Sequence, residues 1–258
     1  MSSACIQSSL LIAHSSLQNM ENQDDKRLLT SSILIPTILV MIMLLVEIIE
    51  SVFHLDFGFL GIKPLSPEGM PGILLSPFLH GDWKHLFSNI IPIMVLGTSL
   101  YYFYRPIANK ILLILMFSTG LLTWCGARSG THIGASGLVY GLAFFLMLSG
   151  FIRRYRKLII ISLIVVFLYG SLVWGLYPEY AIENNISWEG HLSGFVMGIV
   201  LAIFYKGEVW YEDEDENRDE NEDEDENEDD IDPVTQRPYW DVPEPDKDDL
   251  TVRYRFRR

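Results

Sequence analysis

Apolar residues run in long blocks along this chain, separated by short polar stretches. The two-residue alternation of half-buried strands is missing, and so are the polar faces of surface helices. A bilayer-crossing helix takes about 20 mainly apolar residues. Blocks of that order predict six spans, at 33–49, 85–103, 111–127, 137–151 (short but apolar throughout), 158–177 and 191–205. A soluble helical bundle would need polar faces that these segments lack. The expected architecture is an all-α membrane protein, with a cytoplasmic segment 1–31, a six-helix membrane domain 32–206 and a disordered acidic tail 207–258.

Basic residues then predict orientation. Lys26 and Arg27 precede the first span, Arg105 and Lys110 flank the second turn, and Arg153, Arg154, Arg156 and Lys157 fill the fourth. With six spans these positions share one side, which the rule makes cytoplasmic, and both termini lie there in a multi-pass cell-membrane protein. The loop 50–84 falls outside. It is rich in glycine and proline yet carries Phe57, Phe59, Leu60, Ile73, Leu74, Leu75 and Phe78, a composition that suits the membrane interface better than open water.

Composition changes this picture little. The chain of 258 residues is 49% hydrophobic, with a mean hydropathy of +0.22. Residues 212–230 hold 15 acids and one base, and so carry the whole formal net charge of -14; the remaining chain, with 18 of each sign, is neutral. The acidity is thus a property of one tail, and nothing points to nucleic acid. That tail is too polar to bury a core and is expected to be disordered, its partner unspecified. Cys5 and Cys125 make neither a disulfide framework nor a zinc spacing.

The chemistry lies in polar residues placed where lipid is expected, which are costly and raise a functional hypothesis. These are His85 and Asn89 on the second span, Ser136 at the mouth of the fourth, and His191 at the start of the sixth. Spans two, four and six run in the same direction, so these residues fall at similar depth in the outer part of the membrane. Gly137 with Gly141, and Gly194 with Gly198, make GxxxG pairs beside Ser136 and His191; small residues at this spacing let helix backbones approach closely. A serine hydroxyl becomes a strong nucleophile when a histidine takes its proton and later returns it to the leaving amine. The oxyanion formed then needs donors, for which His85, Asn89 and the Ser136 backbone N–H are candidates.

Three blocks, His80-x4-His85-x3-Asn89, Gly134-Ala135-Ser136-Gly137 and Gly190-His191-x2-Gly194-x3-Gly198, together resemble the rhomboid intramembrane proteases in spacing and order. The run SPFLHGDWKHLFSN is similar to the prokaryotic branch. The resemblance implies a Ser136–His191 dyad with no third acid, and an oxyanion held by His85, Asn89 and the Ser136 backbone. It also implies a loop shaped by Gly134, Tyr140 packed on the His191 ring, and His80 near the mouth of the site. Its substrates would be membrane-spanning segments of other proteins, cut near their outer ends with no cofactor or metal. Two family features are absent: no Trp-Arg pair occurs between Glu50 and His80, and Leu100 and Tyr101 stand where some relatives carry glutamate.

Rival readings fare less well. Leu138 breaks the G-x-S-x-G elbow of soluble hydrolases, and H-E-x-x-H is absent. His80, Asp82 and His85 offer only a weak metal spacing. His132 ranks below His191 as a base because nothing in the sequence holds its loop against the serine. A transporter would show repeats or paired broken helices. The main alternative is an inactive rhomboid-like protein that binds membrane helices, although such proteins usually lose the serine or the histidine.

Overall fold

The computed structural model describes residues 3–168, 177 and 186–208, with side chains from residue 26. Among these the chain is helical, with no strand beyond an isolated bridge between Ile62 and His132. The long helices are α1 (Ser3–Phe53), α3 (Trp83–Phe103), α4 (Ala108–Gly126), α5 (Ser136–Arg153), α6 (Arg156–Leu168) and α7 (Trp188–Phe204), and α2 is the short Gly72–Leu75. The fifth expected span is described only as far as Leu168, and the acidic run 212–230 lies outside the described residues.

Four segments are long and apolar enough to cross a membrane: Lys26–Phe53 of α1, α3, α4 and α5. The shortest, 18 residues, extends about 27 Å at 1.5 Å per residue, close to the thickness of a hydrocarbon core. Helix α7 is equally apolar but shorter. Helix α1 reaches well back before the expected first span, and no proline precedes Pro36 to interrupt it. Its outward stripe of Leu34, Ile38, Met41, Leu45, Ile48 and Val52 is apolar, and so are Val40 and Met43 on the buried side. Helix α3 repeats the pattern, with Phe87, Ile91 and Val95 exposed and Leu86, Ile93, Leu96 and Leu100 buried. A helix apolar on both faces belongs in lipid.

The loop from 54 to 82 is compact. Three short 3-10 turns and α2 fold it back on α4, where Gly120 meets the Ile73 backbone with no room for a Cβ. Phe59, Leu65, Met70 and Leu74 remain exposed on it. Asp82 ends the loop and caps α3, its carboxylate accepting from the His85 backbone N–H at 2.8 Å, which satisfies a first-turn donor.

The closest interhelical packing joins α5 and α7. A Cβ at Gly194 would overlap the Gly137 carbonyl oxygen, and one at Gly198 would overlap that of Gly141. Arg153, at the end of α5, donates to the Tyr205 and Glu208 carbonyls beyond α7, at 2.9 and 3.0 Å. Overpacking a tight contact costs about 1–3 kcal/mol. Gly194→Ala and Gly198→Ala are therefore expected to lower the melting temperature in detergent by several degrees. Gly207→Ala, where nothing lies within 4 Å of the new methyl, is the matched control; equal melting temperatures for all three would refute the packing argument.

Candidate active site

Ser136 is the first residue of α5. Its backbone N–H thus belongs to a first turn, where donors have no intrahelical carbonyl. Gly134, two residues earlier, has φ +107, a conformation that L side chains rarely adopt. A Cβ there would also meet the His85 ring at 2.7–2.8 Å. One glycine thus turns the chain into α5 and lets the His85 imidazole lie against the loop.

The glycine-lined contact brings α7 alongside, and His191 Nε2 lies 2.8 Å from Ser136 Oγ. The ring of Tyr140, one turn into α5, stacks on the His191 imidazole with centroids 4.3 Å apart and planes at 15°. His191 is 5% exposed and Tyr140 1%, so the imidazole has little freedom to rotate. A neutral imidazole that accepts the serine hydroxyl at Nε2 carries its proton on Nδ1, which is the tautomer a general base requires.

His85, Asn89, Ser136, Tyr140 and His191 all line one cavity of about 760 Å³. Asn89 is buried, and its side-chain nitrogen donates to the His85 carbonyl at 3.0 Å. Only the second amide hydrogen therefore remains for an oxyanion. His80 sits behind, edge to face with His85 at 5.0 Å. Asp82 is occupied in capping α3, and no group of three or more metal-binding side chains occurs among the described residues.

The loop before Ser136 differs from expectation, because it is held firmly. His132 exchanges backbone hydrogen bonds with Ile62, and Gly134 N–H donates to the Ser76 carbonyl at 2.9 Å. The His132 ring is nonetheless engaged elsewhere, with Nδ1 2.7 Å from Ser187 Oγ and Nε2 2.9 Å from the Arg128 carbonyl. Sequence reasoning also missed the pairing of Arg128 with Glu189, at 3.2 Å to each carboxylate oxygen. The one available signal was a pair of opposite charges, Arg128 and Glu189, each within eight positions before Ser136 or His191.

A helical bundle with several apolar, membrane-length helices and a serine–imidazole pair between two of its helices defines an integral membrane protein with a built polar site. Comparison with known proteins makes this specific. Residues 68–208 match the Rhomboid domain model. An uncharacterized protein of Mycobacterium tuberculosis is 39% identical over 172 residues, 63% of this chain and 70% of the relative. One of Mycobacterium leprae is 34% identical over 165 residues, 61% and 65% respectively. RHOMBOID-like protein 4 of Arabidopsis thaliana is 29% identical over 135 residues, 51% of this chain and 34% of that protein. The chain belongs to the rhomboid family, and membership supports an intramembrane-protease-like function.

Burial, and then the neighbouring His85 ring, hold the His80 imidazole down from 6.5 to about 3, partly offset by the Phe78 backbone and Asp82. Neither of its ring nitrogens meets full hydrogen-bond geometry. Because the folded value lies below the unfolded one, the unfolded chain binds the extra proton between these limits. Stability from this group is complete above the unfolded value and declines as pH falls toward the folded one. Melting temperature is expected to drop between about pH 6.5 and about pH 4, less steeply in His80→Gln. Parallel curves for the two proteins would refute the assignment.

Proposed function

We propose that the chain is an intramembrane serine endopeptidase that cleaves membrane-spanning segments of other proteins. The observation that carries this reading is the 2.8 Å approach of Ser136 Oγ to His191 Nε2 within a cavity large enough for an extended peptide.

Ser136 Oγ attacks the scissile carbonyl while His191 Nε2 accepts its proton. The resulting oxyanion takes hydrogen bonds from the Ser136 backbone N–H, the free amide hydrogen of Asn89 and the His85 ring. His191 then protonates the leaving amine, and an acyl group remains on Ser136. Water attacks this ester as His191 takes one of its protons; that proton passes to Ser136 Oγ as the carboxylic acid product leaves and then ionises in water. Tyr140 orients the imidazole by stacking on it. His80 backs the His85 ring, and Gly134, Gly194 and Gly198 allow the close approaches.

On this reading six spans cross the cell membrane with both termini cytoplasmic, and the loop 54–82 lies in the outer interface. Substrates enter from the bilayer. Small or helix-destabilising residues favour cutting, because the peptide must leave its helix to reach Ser136.

Co-expression with a single-span reporter tests the proposal. Wild type is expected to release product, and Ser136→Ala and His191→Ala to release none. Asn89→Ala is expected to lose roughly 10²-fold, as for one oxyanion donor. Product from Ser136→Ala at the wild-type rate would remove the dyad. A wild type that binds reporter helices but neither cleaves them nor labels with a serine-directed phosphonate would favour the helix-binding alternative.

A further inference from the structure

The loop that leads into Ser136 also grips the helix that carries His191. Its anchors fall on the residues just before and within the first turn of α7. The Arg128 backbone N–H and Nη1 both donate to Glu189, each at 3.2 Å to Oε1, with Nη1 also 3.2 Å from Oε2. Arg128 Nη2 donates to the Ile186 carbonyl at 2.9 Å. Ser187, the cap of α7, accepts from the Gly190 N–H at 3.3 Å and meets His132 Nδ1 at 2.7 Å.

The directions of these bonds follow from the groups involved. The Arg128 carbonyl only accepts, so His132 Nε2 carries a proton. In the neutral ring Nδ1 then accepts from the Ser187 hydroxyl, whose oxygen in turn accepts from Gly190 N–H. The chain of bonds runs unbroken from the first turn of α7 to the Arg128 backbone.

Burial makes the Arg128 pairing consequential. The Glu189 side chain is 8% exposed and that of Arg128 37%, and a buried carboxylate is tolerated only when paired and hydrogen-bonded. Glu189 stands two residues before His191, so whatever fixes its carboxylate also fixes the rotation of that turn. The glycine contacts along α5 and α7 set how close the two helices lie. Gly137 also packs against the Gly190 carbonyl in the first turn of α7, and the Arg128 contacts hold that same turn from its end. A misplacement of about 1 Å at a reacting group can cost about 10²-fold in rate.

We propose that Arg128 is a positioning residue: through Glu189 and the Ile186 carbonyl it holds the first turn of α7 so that the His191 imidazole stays within hydrogen-bonding reach of Ser136. The proposal rests on the endopeptidase reading above, and the test separates the two. Arg128 lines the same cavity as Ser136 and His191, but its side-chain hydrogen bonds go to Glu189 and Ile186. It joins the nucleophile's loop to the base's helix, so the two groups move as one unit when either helix shifts in the bilayer.

The full-length protein in detergent is labelled with a fluorophosphonate, and both the limiting first-order rate constant and the final labelled fraction are recorded. Arg128→Ala is expected to lower the rate constant roughly 10- to 100-fold, with half-saturating probe concentration and labelled fraction near wild type. Glu189→Gln, which keeps an acceptor for the Arg128 N–H groups, is expected to lose less. Arg128→Lys is expected to recover part of the rate, because an ammonium reaches the carboxylate without spanning to Ile186. The double variant Arg128→Ala/Glu189→Gln is expected to be no slower than Arg128→Ala, as for two members of one interaction. A reduced labelled fraction with an unchanged rate constant would assign Arg128 to folding alone and overturn the proposal. If Arg128→Ala does not fold, unchanged rate constants in both Arg128→Lys and Glu189→Gln overturn it. A wild type no more reactive than Ser136→Ala sinks the endopeptidase reading and this proposal together, whereas a reactive wild type matched by Arg128→Ala sinks this proposal only.

Discussion

Two helix backbones, α5 and α7, touch through glycine carbonyls, and the candidate site depends on that contact. Gly194 faces Gly137 and Gly198 faces Gly141, each without space for a methyl group. Lipid gives helices no hydrophobic reason to associate, so close van der Waals packing of small residues does that work. Ser136 sits immediately before the first of these glycines and His191 three residues before its partner. The contact that joins the helices therefore also brings the hydroxyl to the imidazole, at 2.8 Å. Larger residues at this seam would separate the helices and the two groups together.

Polar groups at the helix ends of such a bundle need partners, and several of them are met by side chains of the chain itself. Asp82 caps α3 and Ser187 caps α7 with their own side chains. Two arginines hold α7, one from the loop that precedes α5 and one from the end of α5. Arg128 binds the residues that open α7, while Arg153 takes up carbonyls beyond its end. An arginine suits both places because its fork of donors bridges two acceptors at once. The glycine seam sets the distance between the helices, and the end contacts oppose sliding and rotation along it.

Much of this was legible in the sequence because it is local or periodic. The apolar blocks foretold α3, α4 and α5 to within a few residues, since length and composition decide whether a helix can cross a membrane. The glycines after Ser136 and His191 announced a tight seam, and the family resemblance implied a loop shaped by Gly134. The length of α1 was also open to reading, since no glycine or proline precedes Pro36. What stayed hidden was long-range. Arg128 and Glu189 lie 61 positions apart, and counting charges by side of the membrane treated them as unrelated. The hold on the 127–135 loop was invisible for the same reason, because it depends on Ile62 and Ser76 in a different loop. Asn89 is the opposite case. A polar residue inside a helix often bonds back to the carbonyl four positions earlier, so its use of one amide hydrogen on His85 was foreseeable.

A serine–histidine dyad without a third acid, as the family resemblance implies for Ser136 and His191, has a physical logic in this setting. In a soluble triad the acid holds the imidazole in one tautomer and stabilises the imidazolium that forms. Beneath the surface of a bilayer a buried carboxylate would itself need pairing, or it would protonate and lose its purpose. On the proposed reading the two duties fall to different groups. Orientation comes from the Tyr140 ring, nearly parallel to the imidazole, and an aromatic face carries partial negative charge. It can therefore steady a transient positive charge without the desolvation cost of an anion. The carboxylate that does lie nearby in sequence, Glu189, is spent on Arg128. Its charge is neutralised where it stands, and it acts on the backbone of α7 instead of on the ring.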